Sequence, residues 1–174
     1  MKNRFTICAI GHGPQRLPWG YCPPEQVIDR MANWMVKMFN RHGKLHIIST
    51  MSAGIGMIWA DAAVRARART PNGSITFEAS VPYDNQASRW PEAVIAKYNS
   101  FLLAADKITE ESKGIAYNAW LVHKNNTHMV DRSDYVVAFW DGNKKSKTHY
   151  CMCYARNKKK HIQIVPPGSL VENV

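Results

Sequence analysis

A run of small residues containing two glycines marks a place where this chain could hold an anionic ligand. The segment 45–49 is a short apolar run, Gly54 and Gly56 follow it, and the segment 57–63 has an alanine-rich helical pattern. A strand, a glycine turn and a helix in this order leave backbone N–H groups at the helix N-terminus, where a phosphate can bind. Small residues are also needed wherever a helix packs closely against the preceding strand. The pattern therefore supports both a ligand-binding turn and a purely structural one.

Polar side chains follow other apolar runs of the sequence. His12 and Arg16 lie in a loop rich in glycine and proline, where a polar side chain has little structural work and could contact a ligand. Gln86 could form a hydrogen bond with a base edge or a ribose. Asp141 ends the clearest apolar run, where it could hold a ribose or a catalytic water, or could cap the turn that follows.

Basic and aromatic residues extend this set. Lys145, Lys147 and Thr148 precede or begin a predicted helix and could contact phosphate there, or could belong to a solvated lysine loop. Tyr83 and Trp90 could stack on a base, or could close the core over a helix end.

These residues lie between segments whose hydrophobic periodicity alternates between strand and helix. The patterns predict strands near 5–10, 45–49, 74–81, 104–108, 135–140 and 161–165, and helices near 25–42, 57–69, 91–102, 114–128 and 148–158. This alternation predicts an α/β, Rossmann-like three-layer fold, with a mostly parallel sheet and helices on both faces. We expect a single domain over residues 1–174, with a core over about 5–165 and a short tail at 166–174.

Ligands of such sheets bind at the carboxyl ends of the strands, near the point where the strand order switches. Four loops are expected at that edge, namely 11–16, 49–56, 82–90 and 141–148. The predicted ligand-binding residues within them are Gly11, His12, Arg16, Ser52, Ala53, Gly54, Gly56, Pro82, Gln86, Trp90, Asp141, Gly142, Lys145, Lys147 and Thr148. Asp141 is also the candidate for a catalytic carboxylate.

The composition narrows the class of partner. The chain has 23 Lys and Arg against 13 Asp and Glu, a formal charge of +10 that favours anionic partners such as nucleotides or nucleic acid. No apolar run approaches the roughly 18 residues that span a membrane, and the first run is too short for a signal-peptide core. The four cysteines form no CxxC pair and are expected to be reduced thiols. We expect a cytoplasmic protein with no metal, no membrane partner and no cofactor other than a nucleotide-derived ligand.

Several motifs occur in a characteristic order along the chain. They are Gly11-His12-x-Pro14 with Leu17 and Gly20-Tyr21, Ser52-Ala53-Gly54-x-Gly56 with Trp59-Ala60, Pro82-Tyr83-x-x-Gln86-x-x-x-Trp90, Asn126-x-x-Met129-Val130-Asp131 with Ser133-Asp134, and Ala138-x-Trp140-Asp141-Gly142. This order resembles the YpsA-like branch of the SLOG superfamily, which includes the Smf/DprA and LOG proteins. The resemblance covers about residues 5–165 and implies a Rossmann-like domain that binds nucleotides or nucleotide-derived molecules at the strand ends. Asn126, Asp131 and Asp134 are interpreted as residues that end or cap helices.

The chain also departs from the family pattern. Gly13 stands where the family usually has Arg, Met57 where the glycine turn continues to Asp, and Ser146-Lys147-Thr148 where Gly-Gly-Thr holds phosphate. LOG enzymes place a Glu three residues beyond that Thr, and here the position is Cys151. A phosphoribohydrolase needs this carboxylate for the developing ribosyl cation, and an apolar thiol cannot replace it. The resemblance thus implies a protein without LOG-type catalysis.

Three classes of function remain open. The favoured one is the binding of a nucleotide or nucleotide-derived signalling molecule, for sensing or sequestration, and a small basic member of this kind would suit a phage. An alternative is a hydrolase that cleaves an N-glycosidic or phosphate bond with a relocated carboxylate, either Asp141 or Glu78. A second alternative is DprA-like binding of single-stranded nucleic acid through the basic surface and exposed aromatic residues. A homo-oligomer is expected and is compatible with all three.

Overall fold

The computed structural model describes residues 4–115 and 117–172, and within them a parallel sheet lies between two layers of helices. The strands are β1 (Phe5–Gly11), β2 (Leu45–Ser49), β3 (Ile75–Val81), β4 (Lys107–Glu110), β5 (Tyr135–Phe139) and β6 (His161–Val165). The helices are α1 (Glu25–His42), α2 (Ile55–Ala68), α3 (Glu92–Ala104), α4 (Ala119–Arg132) and α5 (Lys147–Asn157), with short 3₁₀ turns at Pro14–Arg16 and Pro167–Leu170. None of the helices in this described part of the chain is both long and apolar enough to cross a membrane.

The order of the strands creates a crevice at one edge of the sheet. The order is β4-β3-β2-β1-β5-β6, and every neighbouring pair is parallel. The chain therefore proceeds outward from β1 to β4 and then crosses to β5 on the other side of β1. The loops that follow β1 and β5 leave in opposite directions, which is the arrangement that opens a ligand crevice at the carboxyl ends. The predicted Rossmann-like three-layer fold is confirmed, and the sheet is parallel throughout.

The central strands bury both of their faces, as parallel strands between two helical layers do. Ile7, Ile47 and Phe77 point to the face covered by α1, α2 and α3, where they belong to the larger core cluster. Cys8 and Ile48, at the alternate positions, pack under α4 and α5 in a second cluster. The period of two along each strand thus assigns neighbouring residues to opposite layers.

Predicted boundaries differ from the structure between α3 and β4 and at both ends of α4. Helix α3 continues to Ala104, and β4 begins at Lys107, directly after Asp106, whose carboxylate accepts a hydrogen bond from the Phe77 N–H at 2.8 Å. Helix α4 begins at Ala119 and not near residue 114, because Asn118 caps it by accepting a hydrogen bond from the Trp120 N–H at 2.9 Å. It then continues to Arg132, past the predicted end at 128.

Candidate ligand-binding cleft

The glycines of the predicted turn are required by close packing between two loops. Gly54 has φ +86°, and a Cβ there would lie 2.5 Å from the backbone oxygen of His12. A Cβ on Gly11 would meet Ile55 at 2.5 Å, and one on Gly56 would lie 2.7 Å from two hydroxyl oxygens of the β2–α2 loop. The Ile55 N–H donates to the His12 carbonyl at 3.2 Å, which joins the two loops directly. Packing accounts for these glycines, and contact with a ligand stays a prediction for them.

A cleft of about 210 Å³ opens at the carboxyl ends of the strands, beside the switch between β1 and β5. One wall is the β2–α2 loop, and the opposite wall is formed by α4 and the first turn of α5. The predicted site residues that line it are Gly11, Ser52, Ala53, Gln86, Lys147 and Thr148. Each of the four predicted loops therefore contributes at least one residue to this cleft.

The walls of the cleft are held by hydrogen bonds between polar side chains. The hydroxyl oxygens of Thr50 and Ser52 are 2.8 Å apart. The Gln86 amide donates to the Thr50 carbonyl at 3.3 Å. On the opposite wall, the buried Asn125 amide accepts a hydrogen bond from the Ser80 hydroxyl at 2.6 Å and donates to the Ser80 carbonyl at 3.1 Å. These contacts preorganise the polar lining before any ligand is present.

The first turn of α5 gives the cleft its positive end. Ser146 caps this helix, because its hydroxyl accepts a hydrogen bond from the His149 N–H at 3.1 Å. Lys147 is exposed, and none of the described Asp or Glu side chains forms an ion pair with it. A helix N-terminus and an unpaired ammonium group both attract an anion. The cleft is therefore suited to a phosphate or carboxylate at this end.

A network of three charged or titratable side chains lies behind Thr148. Its hydroxyl is 3.4 Å from Nδ1 of the buried His12, whose Nε2 lies 2.9 Å from the Asp141 carboxylate. Arg16 donates to the same carboxylate from Nε at 2.9 Å. The backbone N–H of Asp141 also donates to His12 Nε2 at 3.3 Å, so Asp141 contacts this ring nitrogen through both its main chain and its side chain. His12, Arg16 and Asp141 thus come together as predicted neighbours, but they support the cleft from behind and do not line it.

The pKa values of this network keep His12 neutral and Asp141 charged near pH 7. Burial lowers the pKa of His12, and this effect exceeds the opposite influence of Asp141. Burial would raise the pKa of Asp141, but the hydrogen bonds from the Asn143 N–H and from Arg16 outweigh it and hold the pKa below its usual value. The Asn143 contact, at 3.0 Å, also shows that Asp141 caps the turn that follows it.

The other predicted site residues lie outside the cleft. Gly142 has φ +91° in the turn after Asp141, and Lys145 lies in the same loop. Pro82 is buried after β3, and Trp90 lines a neighbouring cavity, where its ring packs edge-on against Tyr98 with centroids 5.4 Å apart. For these residues a role in binding stays a prediction.

Glu78, the second candidate for a relocated carboxylate, lies in the middle of β3 and not at the carboxyl edge. Its carboxylate accepts hydrogen bonds from Arg132 at 2.6 Å and Thr109 at 2.8 Å, and His46 Nε2 is 2.9 Å away. Burial alone would raise the pKa of Glu78, but these hydrogen bonds hold it far below its usual value. The side chain is fully buried, and its position is that of a structural charge.

Helix α4 contributes lining residues that the sequence did not indicate. They are Val122, Asn125 and Asn126, and Asn126 was interpreted only as a residue that ends a helix. Two adjacent asparagines inside a helix are unfavourable for helix formation. This unfavourable pair is the one feature of the sequence that could have indicated a functional role for them. Cys151 also lines the cleft, and burial raises the pKa of its thiol so that it stays protonated at neutral pH. None of the described lining residues is an Asp or Glu.

A parallel sheet between two helical layers, with a polar cleft where the strand order switches, defines a Rossmann-like α/β domain. The model of the YspA SLOG family matches residues 23–166, so the chain belongs to the SLOG family of YpsA type. The match confirms the resemblance and begins after the 11–16 loop.

The chain is also similar to a bacterial protein in sequence and to a solved structure in fold. A UPF0398 protein of Oceanobacillus iheyensis is 24% identical over 125 residues, which cover 72% of this chain and 66% of that protein. The solved structure of DNA processing protein A from Helicobacter pylori, described for its single-stranded DNA binding mode, superposes with a TM-score of 0.60 at 15% identity. The superposition covers 93% of this chain and 65% of that one, and it shows a shared fold. The chain thus spans slightly less than two thirds of the length of either relative.

Proposed function

We propose that this protein binds a nucleotide or nucleotide-derived molecule in the cleft, for sensing or sequestration, and without LOG-type catalysis. The observation that carries the proposal is the position of Lys147 and Thr148. They lie in the first turn of α5 and share a cleft with the Thr50 and Ser52 hydroxyl groups. Membership of the SLOG family supports a nucleotide-derived ligand in particular.

The chemistry of the lining favours binding over bond cleavage. Cleavage of an N-glycosidic bond needs a carboxylate to stabilise the ribosyl cation, and the described lining residues include none. Cys151 remains a neutral thiol. The cleft thus offers groups that bind an anion, and its described lining includes no carboxylate that could take part in cleaving the ligand.

The test is isothermal titration of the protein with the four nucleoside 5′-monophosphates. Lys147→Glu should weaken the tightest of them about 10- to 100-fold, because a charge-assisted hydrogen bond is lost and a repulsive charge is introduced. Lys144→Glu is the matched control, since it makes the same charge change three residues earlier, in the loop before α5, at a residue that does not line the cleft. It should change the affinity less than about twofold. Absence of binding by the wild type, or equal losses in both variants, would contradict the proposal.

A second candidate is the binding of single-stranded nucleic acid. The formal charge of +10 and the fold shared with the DNA-binding relative favour it. An oligothymidylate added to the same titration distinguishes it from the first proposal. Affinity for the oligonucleotide that falls steeply with salt, together with no affinity for mononucleotides, would favour this candidate.

A further inference from the structure

A second cavity, of about 530 Å³, lies next to the cleft on the same side of the sheet. It is formed by the loop after β3 and by the segment that leads into α4, and Gln86 lines both cavities. The Gln86 side chain is held in place, because its amide donates to the Thr50 carbonyl and its oxygen accepts from the Tyr98 hydroxyl at 3.4 Å. Gln86 therefore forms part of the wall between the two cavities.

The size of the cleft implies that a nucleotide extends beyond it. At about 210 Å³, the cleft is smaller than the roughly 300–1,000 Å³ of typical ligand pockets. A phosphate and a sugar can occupy it at the N-terminus of α5, and the base then needs a neighbouring space. Two cavities adjoin the cleft at Gln86, of about 530 and 460 Å³, and of these the larger is the one lined by Tyr117 and Arg89.

The lining of the second cavity is chemically suited to a base. Tyr83 and Tyr117 pack edge to face with ring centroids 5.4 Å apart, and 61% of Tyr117 remains exposed. The Asp84 carboxylate accepts a hydrogen bond from the Gly114 N–H, which ties the segment before Tyr117 to the loop after β3. Arg89 adds an exposed guanidinium group. Aromatic rings and guanidinium groups are the side chains on which nucleobases stack.

We infer that the second cavity is the base subsite of this protein, where the base stacks on Tyr117 while the anionic part of the same ligand lies at Lys147. The inference rests on the proposed function. It defines the ligand class as an aromatic base joined through a sugar to an anion, with the two ends on opposite sides of Gln86.

The experiment compares a ligand that has a base with one that lacks it. The wild type, Tyr117→Ala and Tyr150→Ala are titrated with AMP and with ribose 5-phosphate. Tyr150 is the matched control, because it is also 61% exposed but lines neither cavity and packs edge-on against His123. Tyr117→Ala should lower the affinity for AMP about 5- to 100-fold and change the affinity for ribose 5-phosphate less than about twofold. Tyr150→Ala should change neither, and Tyr117→Phe should retain the affinity for AMP.

The outcomes separate this inference from the proposed function. Equal affinity of the wild type and Tyr117→Ala for AMP overturns the base subsite and leaves ligand binding in the cleft intact. Wild-type affinity for ribose 5-phosphate that equals the affinity for AMP has the same meaning. Failure of the wild type to bind either compound contradicts the proposed function, and the base subsite with it.

Discussion

Two parts of the molecule combine a carboxylate, a histidine and an arginine in different surroundings. At the edge of the sheet, Asp141 is paired with His12 and Arg16. On the face of the sheet under α4, Glu78 is paired with a histidine and an arginine in the same way. The Asp141 side chain is 26% exposed and that of Glu78 is 1% exposed. Residue type alone would rank both clusters equally as catalytic candidates.

The difference between them lies in their position along the strands. Asp141 follows the end of β5, where the loops diverge and His12 connects it to Thr148 in the cleft. Glu78 is paired in register with Ile48, well inside the sheet, and a helix covers it. A charge at the strand end can influence a ligand, whereas one inside the sheet can only stabilise or destabilise the fold. Topology therefore decides which of two similar clusters belongs to a site.

The largest effect is expected from Glu78→Gln. The substitution removes a fully buried carboxylate from the partly exposed Arg132 and from Thr109, and the loss of a hydrogen bond to such a charged group costs about 1.5–3 kcal/mol of unfolding free energy. Urea denaturation measures the loss. Asp141→Asn is the paired variant, and it should cost no more than about 1 kcal/mol because its cluster is partly solvated. Equal losses of stability in the two variants would mean that the Glu78 and Asp141 clusters do not differ in their structural role.

The same variant tests the sign of a pH dependence. The pKa of Glu78 is lowered in the folded protein from an ordinary value of 4.5, so its stabilising effect is complete above about pH 4.5. The effect is lost as the pH falls through the folded-state pKa. The stability of Glu78→Gln should therefore approach that of the wild type in acid. A difference between the two that stays constant down to pH 2 would show that the charge of Glu78 is not what stabilises the fold.

Much of the fold could be predicted because its signals are local. The apolar runs at β1, β2 and β5, and the proline start and glycine stop of α1, each act within a few residues. The strand ends then indicated the edge of the sheet at which the cleft lies. The start of α4 was wrong because the helical pattern extends back to Gly114, where φ is +74°, and only the cap at Asn118 decides the boundary.

The cleft was less predictable because its walls depend on contacts distant in sequence. Asn125 lines it only because its side chain bonds to Ser80, 45 residues away, as α4 crosses the face of the sheet. No local pattern carries this information. Conversely, Gly54 lies in a segment that resembles a phosphate-binding turn. The structure explains this glycine by packing, because a Cβ there would collide with the backbone of His12. Sequence spacing thus located the edge, and three-dimensional packing selected the residues that line it.

An intermediate effect is expected from His12→Gln. The pKa of His12 is lowered by burial below its ordinary value of 6.5, so its contribution to stability is complete above pH 6.5 and is lost as the pH falls through the folded-state pKa. The wild type should therefore lose more stability than His12→Gln when urea denaturation is repeated at successively lower pH below 6.5. An NMR titration of the His12 ring gives an independent readout. A His12 pKa above 6.5 would mean that the attraction of Asp141 for the charged ring outweighs the effect of burial. The charged His12 would then form a salt bridge with Asp141.

The smallest effect on stability is expected from Arg16→Gln. The Arg16 side chain is 45% exposed, and an exposed ion pair contributes about 0–1 kcal/mol to the free energy of unfolding. If Arg16 only orients Asp141, the variant should keep its affinity for nucleoside monophosphates within about threefold, since Asn143 and His12 still hold that carboxylate. Calorimetry on the same variant measures both quantities. A loss of affinity above about tenfold with unchanged stability would mean that Arg16 contacts the ligand itself. The cluster of His12, Arg16 and Asp141 would then belong to the binding surface and not only support it from behind.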